Sequence, residues 1–226
     1  MTLENLPDIQ IKRYARATRL RLRIDAQHIK VTAPLFCTNQ QIQAFITESE
    51  QWILTTWKNQ QEKRQHLDQT LPTVLQLFNQ SQLIQIEYKN QKNNFIFDQE
   101  QRLLYISSRQ PEVYLKDFVA AYAKQYLPLF LQHISQEIGL KYMQCHIRQP
   151  KTRWGSCSAK HDIMLNSGVI LFSEAVVRYL CVHELAHTKF FNHSAQFWNE
   201  VAQHDPNFRQ HRQQLKQSPM PYWWNI

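Results

Sequence analysis

The sequence HELAH, from His183 to His187, places two histidines one helical turn apart with a glutamate beside the first. Side chains at positions i and i+4 lie on the same face of a helix, so both imidazoles can reach one ion. The pattern is typical of zinc peptidases, in which zinc lowers the pKa of a bound water to about 7 and the glutamate accepts its proton. The spacing therefore predicts His183 and His187 as ligands of one Zn²⁺ ion and Glu184 as a general base.

A catalytic zinc ion needs a third protein ligand and an open fourth position. His193 is the first candidate, because the chain has left the helix by this point and Ser194 has the character of the N-cap of the next helix. Glu200 and His204, on that next helix, remain as alternatives. Metzincins share this histidine spacing but have a glycine three residues after the second histidine, where this chain has Phe190.

Ser156 and Cys157 directly follow a glycine in TRWGSCS, in a chain with only three glycines. Several hydrolases present a nucleophile in this way, but such a nucleophile needs its own base, and the nearest histidines are already assigned to the metal. We therefore interpret the segment as structural, with Gly155 allowing a tight turn and Trp154 filling the core. A second hypothesis is that Cys157 approaches the zinc ion and keeps the enzyme latent.

Helical periodicity predicts the elements that carry these residues. A helix over 174–191 contains HELAH, and a further helix begins near residue 194. A long helix begins at Pro111 and ends at Gly139, which is a natural terminator. Pro128 lies inside this pattern and is expected to kink or divide the helix.

Strand patterns dominate the region before the long helix. TRLRLRID alternates Arg19, Arg21 and Arg23 with aliphatic residues, so the arginines share one face of a strand. HIKVTAP predicts a second strand, and Thr38 and Gln41 have the spacing of a capping box. QLIQIEYK, NNFIFD and RLLYIS predict three more short strands. We therefore predict a β-rich unit with one helix over residues 1–108 and a second domain over residues 109–226.

Composition limits the compartment and the partners. The net charge of +8 permits an acidic partner such as DNA but is equally compatible with a protein that is merely basic. The arginine face is either the solvated face of a half-buried sheet or a platform for phosphates. The start of the chain has no apolar stretch of signal-peptide length, and no window approaches the roughly 18 apolar residues of a membrane span. We expect a cytoplasmic protein with no membrane partner. The four cysteines form no Cys-x-x-Cys pair, so neither a zinc knuckle nor disulfides are expected.

Three segments together resemble the YgjP-like metallopeptidases, which are zincins related to the SprT-like and WLM proteases. These segments are TRWGSCSAKHDIMLN, YLCVHELAHTKFFNHSAQFW and the N-terminal RATRLRLRID with VTAP. The resemblance implies that His183, His187 and His193 are the zinc ligands and that Glu184 is the catalytic base. Where the family often has proline after Asn-His-Ser, this chain has Ala195.

The resemblance also implies an α+β fold with a zincin-like core. Such a core contains a long helix, a small sheet with an edge strand above the cleft, the zinc helix and a following helix. DIMLN is the candidate edge strand, which makes Met164, Leu165 and Asn166 candidate contacts for an extended peptide substrate. Three residues are candidates to stabilise the oxyanion of the tetrahedral intermediate: Tyr222, His204 and His211.

The expected function is therefore hydrolysis of peptide bonds by zinc-activated water with a glutamate base. Two alternatives remain. One is a nucleic-acid-associated protease that acts on DNA-bound or crosslinked proteins, a role associated with the related SprT-like and WLM groups. The other is a non-catalytic, zinc-stabilised binding module, which a protein group in the fourth coordination position would favour over catalysis.

Overall fold

The computed structural model of the chain describes residues 6–24, 28–65, 70–218 and 220–225. The chain forms two compact units, Met1–Asp68 and Gln69–Ile226. The boundary between them differs from the predicted one at residue 108, which falls inside the second unit.

The first unit is a three-stranded sheet with two helices. Its elements are β1 (Ile9–Tyr14), β2 (Arg21–Ile24), β3 (Ile29–Pro34), α1 (Asn39–Glu48) and α2 (Glu50–Gln65). Strand β3 is central, parallel to β1 and antiparallel to β2. Its alternate residues Ile29, Val31 and Ala33 are buried in one cluster with apolar residues of α1 and α2. The predicted capping box is confirmed, since Thr38 and Gln41 cap α1 reciprocally.

The second unit begins with a four-stranded sheet of β4 (Val74–Leu75), β5 (Ile84–Lys89), β6 (Phe95–Asp98) and β7 (Leu103–Ser107), in the order β4-β5-β7-β6. The three short strands predicted from the sequence are therefore present. The sheet packs on the long helix α3 (Pro111–Ile138), where the rings of Phe95 and Phe97 lie 5.6 and 5.3 Å from that of Phe118. These strands share a core with the helix, which explains why the unit begins before residue 108.

Helix α3 continues past Pro128 as one element, so the predicted division at this proline is wrong. Residues on both sides of the proline hold the helix in place, because Leu127 and Leu131 are fully buried in the core. Gly139 ends the helix in the left-handed conformation, with φ of 73°, as predicted.

The remaining elements complete the second unit. They are β8 (Cys145–Arg148), β9 (Gly155–Cys157), β10 (Ile163–Asn166), α4 (Glu174–Ala186), α5 (Ala195–His204), α6 (Phe208–Gln217) and two short 3₁₀ turns, Ser167–Leu171 and Tyr222–Asn225. A long helix, a small sheet, the HELAH helix and a following helix are all present, so the predicted α+β class is confirmed. Within the described residues, no helix combines the length and the apolar character needed to cross a membrane.

Candidate metal centre

Three imidazoles meet at the end of α4. The helix stops at Ala186, earlier than predicted, but His187 keeps helical dihedral angles as the C-cap residue and so stays on the same face as His183. The two ring centroids are 5.0 Å apart. The loop after the helix brings His193 to 5.1 Å from the first ring and 4.8 Å from the second. One potential ligand atom from each of the three residues lies within 4.8 Å of the others.

The turn out of α4 needs no glycine. The amides of Thr188 and Lys189 bond to the carbonyls of Leu185 and Ala186, which tightens the last turn. The carbonyl of Phe190 then lies 3.0 Å from His187 Nδ1. Phe190 does not have a positive φ, because only Arg102 and His161 do among the non-glycine residues that the structure describes. Its backbone therefore does not adopt the conformation that would favour glycine at this position.

Hydrogen bonding and packing orient the rings. A carbonyl can only accept, so His187 Nδ1 carries the proton and Nε2 keeps its lone pair for a metal. The ring of Phe197 stacks on that of His187 at 4.5 Å, and the ring of Trp198 stacks on that of His193 at 5.5 Å. Both aromatic residues lie in the first turn of α5, whose start is fixed by the predicted N-cap Ser194.

The geometry of the three nitrogens suits one zinc ion. His183 Nε2 and His193 Nε2 are 3.2 Å apart. Tetrahedral zinc with bonds of about 2.0–2.1 Å to nitrogen places two of its ligand atoms about 3.3 Å from each other. Imidazole nitrogens are also ligands that zinc prefers. The residues therefore fit the metal that the sequence pattern predicts.

Glu184 lies directly against the backbone of β9. A Cβ atom on Gly155 would come within 2.3 Å of the Oε1 atom of Glu184 and within 2.7 Å of its Cδ. The carboxyl group can occupy this position only because the strand has no side chain there. Gly155 has no positive φ, so its role is this close approach and not the tight turn that the sequence suggested.

Burial governs the charge state of the centre. The side chain of Glu184 is 4% exposed, and burial raises its pKa to about 8 against the opposing influence of Arg153. Burial, with help from the two other imidazoles and Arg212, lowers the pKa of His183 to about 3. Burial also lowers the pKa of His193. Both of these imidazoles are therefore neutral at pH 7, which is the form that binds a metal.

The prediction that DIMLN forms the edge strand is wrong. β10 is the central strand of its sheet, pairing with β8 on one side and β9 on the other. Leu165 is fully buried, Met164 is half-buried, and the Asn166 amide donates to the carbonyls of Pro150 and Arg153. The backbone and side chains of β10 are therefore engaged in contacts within the fold. An apolar strand is most stable when it is paired on both sides. Of the strands described, β9 is the free edge beside Glu184.

Cys157 and the alternative ligands lie outside the histidine group. Cys157 Sγ does not join the three imidazoles within 4.8 Å, and burial raises its thiol pKa to about 11, so it remains protonated at neutral pH. Glu200 bonds to Lys189 at 2.7 Å and faces His204 at 3.5 Å. The structure thus brings His193 into the group and keeps Glu200 and His204 apart from it.

Two of the candidates for stabilising the oxyanion contact acidic side chains of the second unit. His211 bonds to Asp205 at 2.8 Å, and the Tyr222 hydroxyl donates to Glu112 at 3.4 Å, so neither of these oxyanion candidates lines the cavity beside the histidines. In the first unit, Arg19, Arg21 and Arg23 are all exposed, as their alternation predicted.

Several residues of the centre were not identified from the sequence. Tyr179 lies one turn before His183 on α4, and its hydroxyl is 3.5 Å from His183 Nδ1. Its i, i+4 spacing could have indicated this contact. Trp154 was expected in the core; both Trp154 and Trp198 pack against the core and also line the cavity beside the histidines. Arg212 reaches the centre from α6, and its distance along the chain gave no signal.

Comparison with known proteins agrees with the HELAH interpretation. A family model described as "YgjP-like, metallopeptidase domain" matches residues 18–218. No curated protein matches the chain. The metallopeptidase zymogen jannalysin of Methanocaldococcus jannaschii is 23% identical, with a TM-score of 0.37 over 40% of this chain and 94% of its own. The zymogen abylysin of Pyrococcus abyssi is 25% identical, with a TM-score of 0.35 over 42% of this chain and 98% of its own.

Proposed function

The chain belongs to the YgjP-like metallopeptidase family, and on this premise we propose that it hydrolyses peptide bonds with one zinc ion held by His183, His187 and His193. Glu184 is the proposed general base. The observation that carries the proposal is the convergence of three imidazoles next to the buried carboxyl group of Glu184.

An open coordination position favours catalysis over a structural metal. Among the residues described, no cysteine or carboxylate joins the three imidazoles within 4.8 Å. Structural zinc sites are closed by four protein ligands, whereas catalytic sites have three and leave one position for water or substrate. This difference argues against a non-catalytic, zinc-stabilised module.

Each residue of the centre has a defined task in the proposed reaction. Zinc, when bound, supplies Lewis acidity toward a carbonyl and toward water. Burial raises the pKa of Glu184, and a cation held by the three histidines would favour its ionised form. The carboxylate can then accept a proton at Oε1 or Oε2 and return it to the leaving amine.

We further propose that the substrate backbone pairs with β9. An edge strand offers unpaired amides and carbonyls to an extended peptide of any sequence. β9 has a strand neighbour on one side only within the described sheet, and its first residue, Gly155, touches Glu184. It therefore takes the role that the sequence assigned to DIMLN.

The proposed activity is tested with an unfolded protein substrate. We expect the purified enzyme, carrying one zinc ion per chain by elemental analysis, to generate new amino termini that mass spectrometry can locate. An enzyme with a full complement of zinc that generates no new termini would exclude peptidase activity toward such chains.

A second candidate function is proteolysis on DNA, and the charge pattern of the first sheet supports it. Strand register pairs Arg23 with Lys30, and it aligns Arg21 with Lys12 across Thr32 of the central strand. Cationic side chains that share one face of a sheet attract an anionic partner such as the phosphate backbone of DNA.

Replacing Arg19, Arg21 and Arg23 together with glutamine should weaken DNA binding about tenfold. It should also make the slope of log K against log salt concentration less steep by about 2–3. Fluorescence anisotropy with a labelled duplex at several salt concentrations measures both. The charge-matched control replaces Lys92, Lys124 and Lys141, which are exposed residues of the second unit. Equal losses in the two triple variants would indicate a general charge effect and remove the arginine face as a specific site.

A further inference from the structure

A cavity of about 430 Å³ opens beside the histidines, and its walls combine apolar surface with cations. Leu180, Leu215, Trp154 and Trp198 supply apolar lining, while Arg212 and Lys216 supply positive charge. The volume is that of a side-chain or small-ligand site. A substrate group entering it would lie next to the reacting bond, because His183 and Glu184 also line the cavity.

The two cations approach the cavity from α6. Arg212 and Lys216 are one helical turn apart, and the buried Leu215 lies between them. The guanidinium of Arg212 lies 4.7 Å from the ring of Trp198, which holds it at the cavity wall.

Among the described residues, no salt bridge balances the charges of Arg212 and Lys216. Glu184 is the acidic residue of the lining, and it is buried against Gly155 as the proposed base. A cavity with two unbalanced cations favours a bound anion.

We propose that this cationic pocket binds a carboxylate of the peptide substrate next to the cleaved bond. The inference rests on the proposed peptidase function and specifies its substrate class. The carboxylate comes from an acidic side chain or from the free C-terminus. In either case, Arg212 and Lys216 contact the carboxylate, and Leu180 and Leu215 contact the aliphatic part of the residue that bears it.

Four matched fluorogenic peptides distinguish the two sources. One pair differs only in glutamate or glutamine at the residue that follows the cleaved bond, and a second pair differs only in a free or amidated C-terminus at that residue. We expect kcat/KM to be about tenfold higher for the carboxylate in one of the pairs. A preference in the first pair identifies an acidic side chain as the ligand, and a preference in the second identifies the C-terminus.

Lys216 is the better residue of the two to replace. Arg212 packs on the tryptophan that supports His193, so replacing it would also disturb the metal centre. Lys216→Gln should reduce the preference about threefold, and Lys216→Glu should shift it toward a lysine-containing peptide. Lys124→Gln, which removes an exposed charge on α3, should leave it unchanged. Higher salt should reduce the wild-type preference but not cleavage of the neutral peptides.

The possible failures are distinct. If zinc-loaded enzyme cleaves all four peptides with equal kcat/KM, the pocket does not select a carboxylate, while the peptidase proposal stands. If Lys216→Gln and Lys124→Gln reduce the preference equally, the pocket is not its source. If the wild-type enzyme cleaves neither these peptides nor an unfolded protein, the proposed function fails and this inference fails with it.

Discussion

Glu184→Gln is expected to lower kcat/KM for peptide hydrolysis by about 10³-fold, the contribution typical of a positioned general base. The amide matches the carboxylate in shape and fits beside Gly155, but it cannot accept a proton from water. The side chain is not part of the three-histidine group, so zinc should remain bound. Because burial disfavours the charged carboxylate, the neutral amide should not destabilise the fold.

Three measurements on one sample test this expectation: kcat/KM, zinc per chain and the midpoint of thermal unfolding. His193→Ala is the informative companion, because it should lose zinc as well as activity. Wild-type activity in a zinc-loaded Glu184→Gln variant would show that another group accepts the proton. Loss of zinc from Glu184→Gln would instead make the glutamate a structural support of the centre.

Gly155→Ala should lower kcat/KM by about 10²-fold, because misplacing a catalytic group by about 1 Å costs that much. The added methyl group would lie 2.3 Å from Oε1 of Glu184, far inside contact distance. The atoms that it meets belong to a side chain and not to the backbone, so the carboxyl group moves while the strand stays in place. We therefore expect a folded, zinc-loaded protein whose base is displaced.

Ser156→Ala, in the next residue of β9, is the matched control and should retain activity within about twofold, since the centre requires no side chain from it. A strong loss in this variant would restore the nucleophile hypothesis for the TRWGSCS segment. Wild-type activity of a folded Gly155→Ala protein would mean that Glu184 need not lie where the structure places it.

Local patterns made the proximity of the three histidines predictable from the sequence. His183 and His187 are brought together by helical periodicity alone, and His193 follows within one short loop. The start of α1 and the end of α3 were predictable for the same reason, because capping residues act on the backbone next to them.

Features that depend on contacts distant in sequence were not predictable. The apolar pattern of β10 is equally compatible with a central and an edge strand, and only the pairing with β8 and β9 decides between them. The contact between Gly155 and Glu184 joins residues from different elements. Arg212 likewise reaches the cavity through the packing of α6 on the HELAH helix. Such contacts follow from tertiary packing, which sequence periodicity does not encode.

The short length of β9 has a consequence for which proteins can be degraded. A strand of three residues, Gly155–Cys157, can pair with only a brief extended segment, and most backbone amides and carbonyls of a folded domain are already hydrogen-bonded. A folded protein must first open locally, so its local opening free energy adds to the activation barrier, with about 1.4 kcal/mol for each tenfold decrease in rate. Substrate proteins with low local stability would then be cleaved fastest, and damaged or partly unfolded chains would be removed before intact ones.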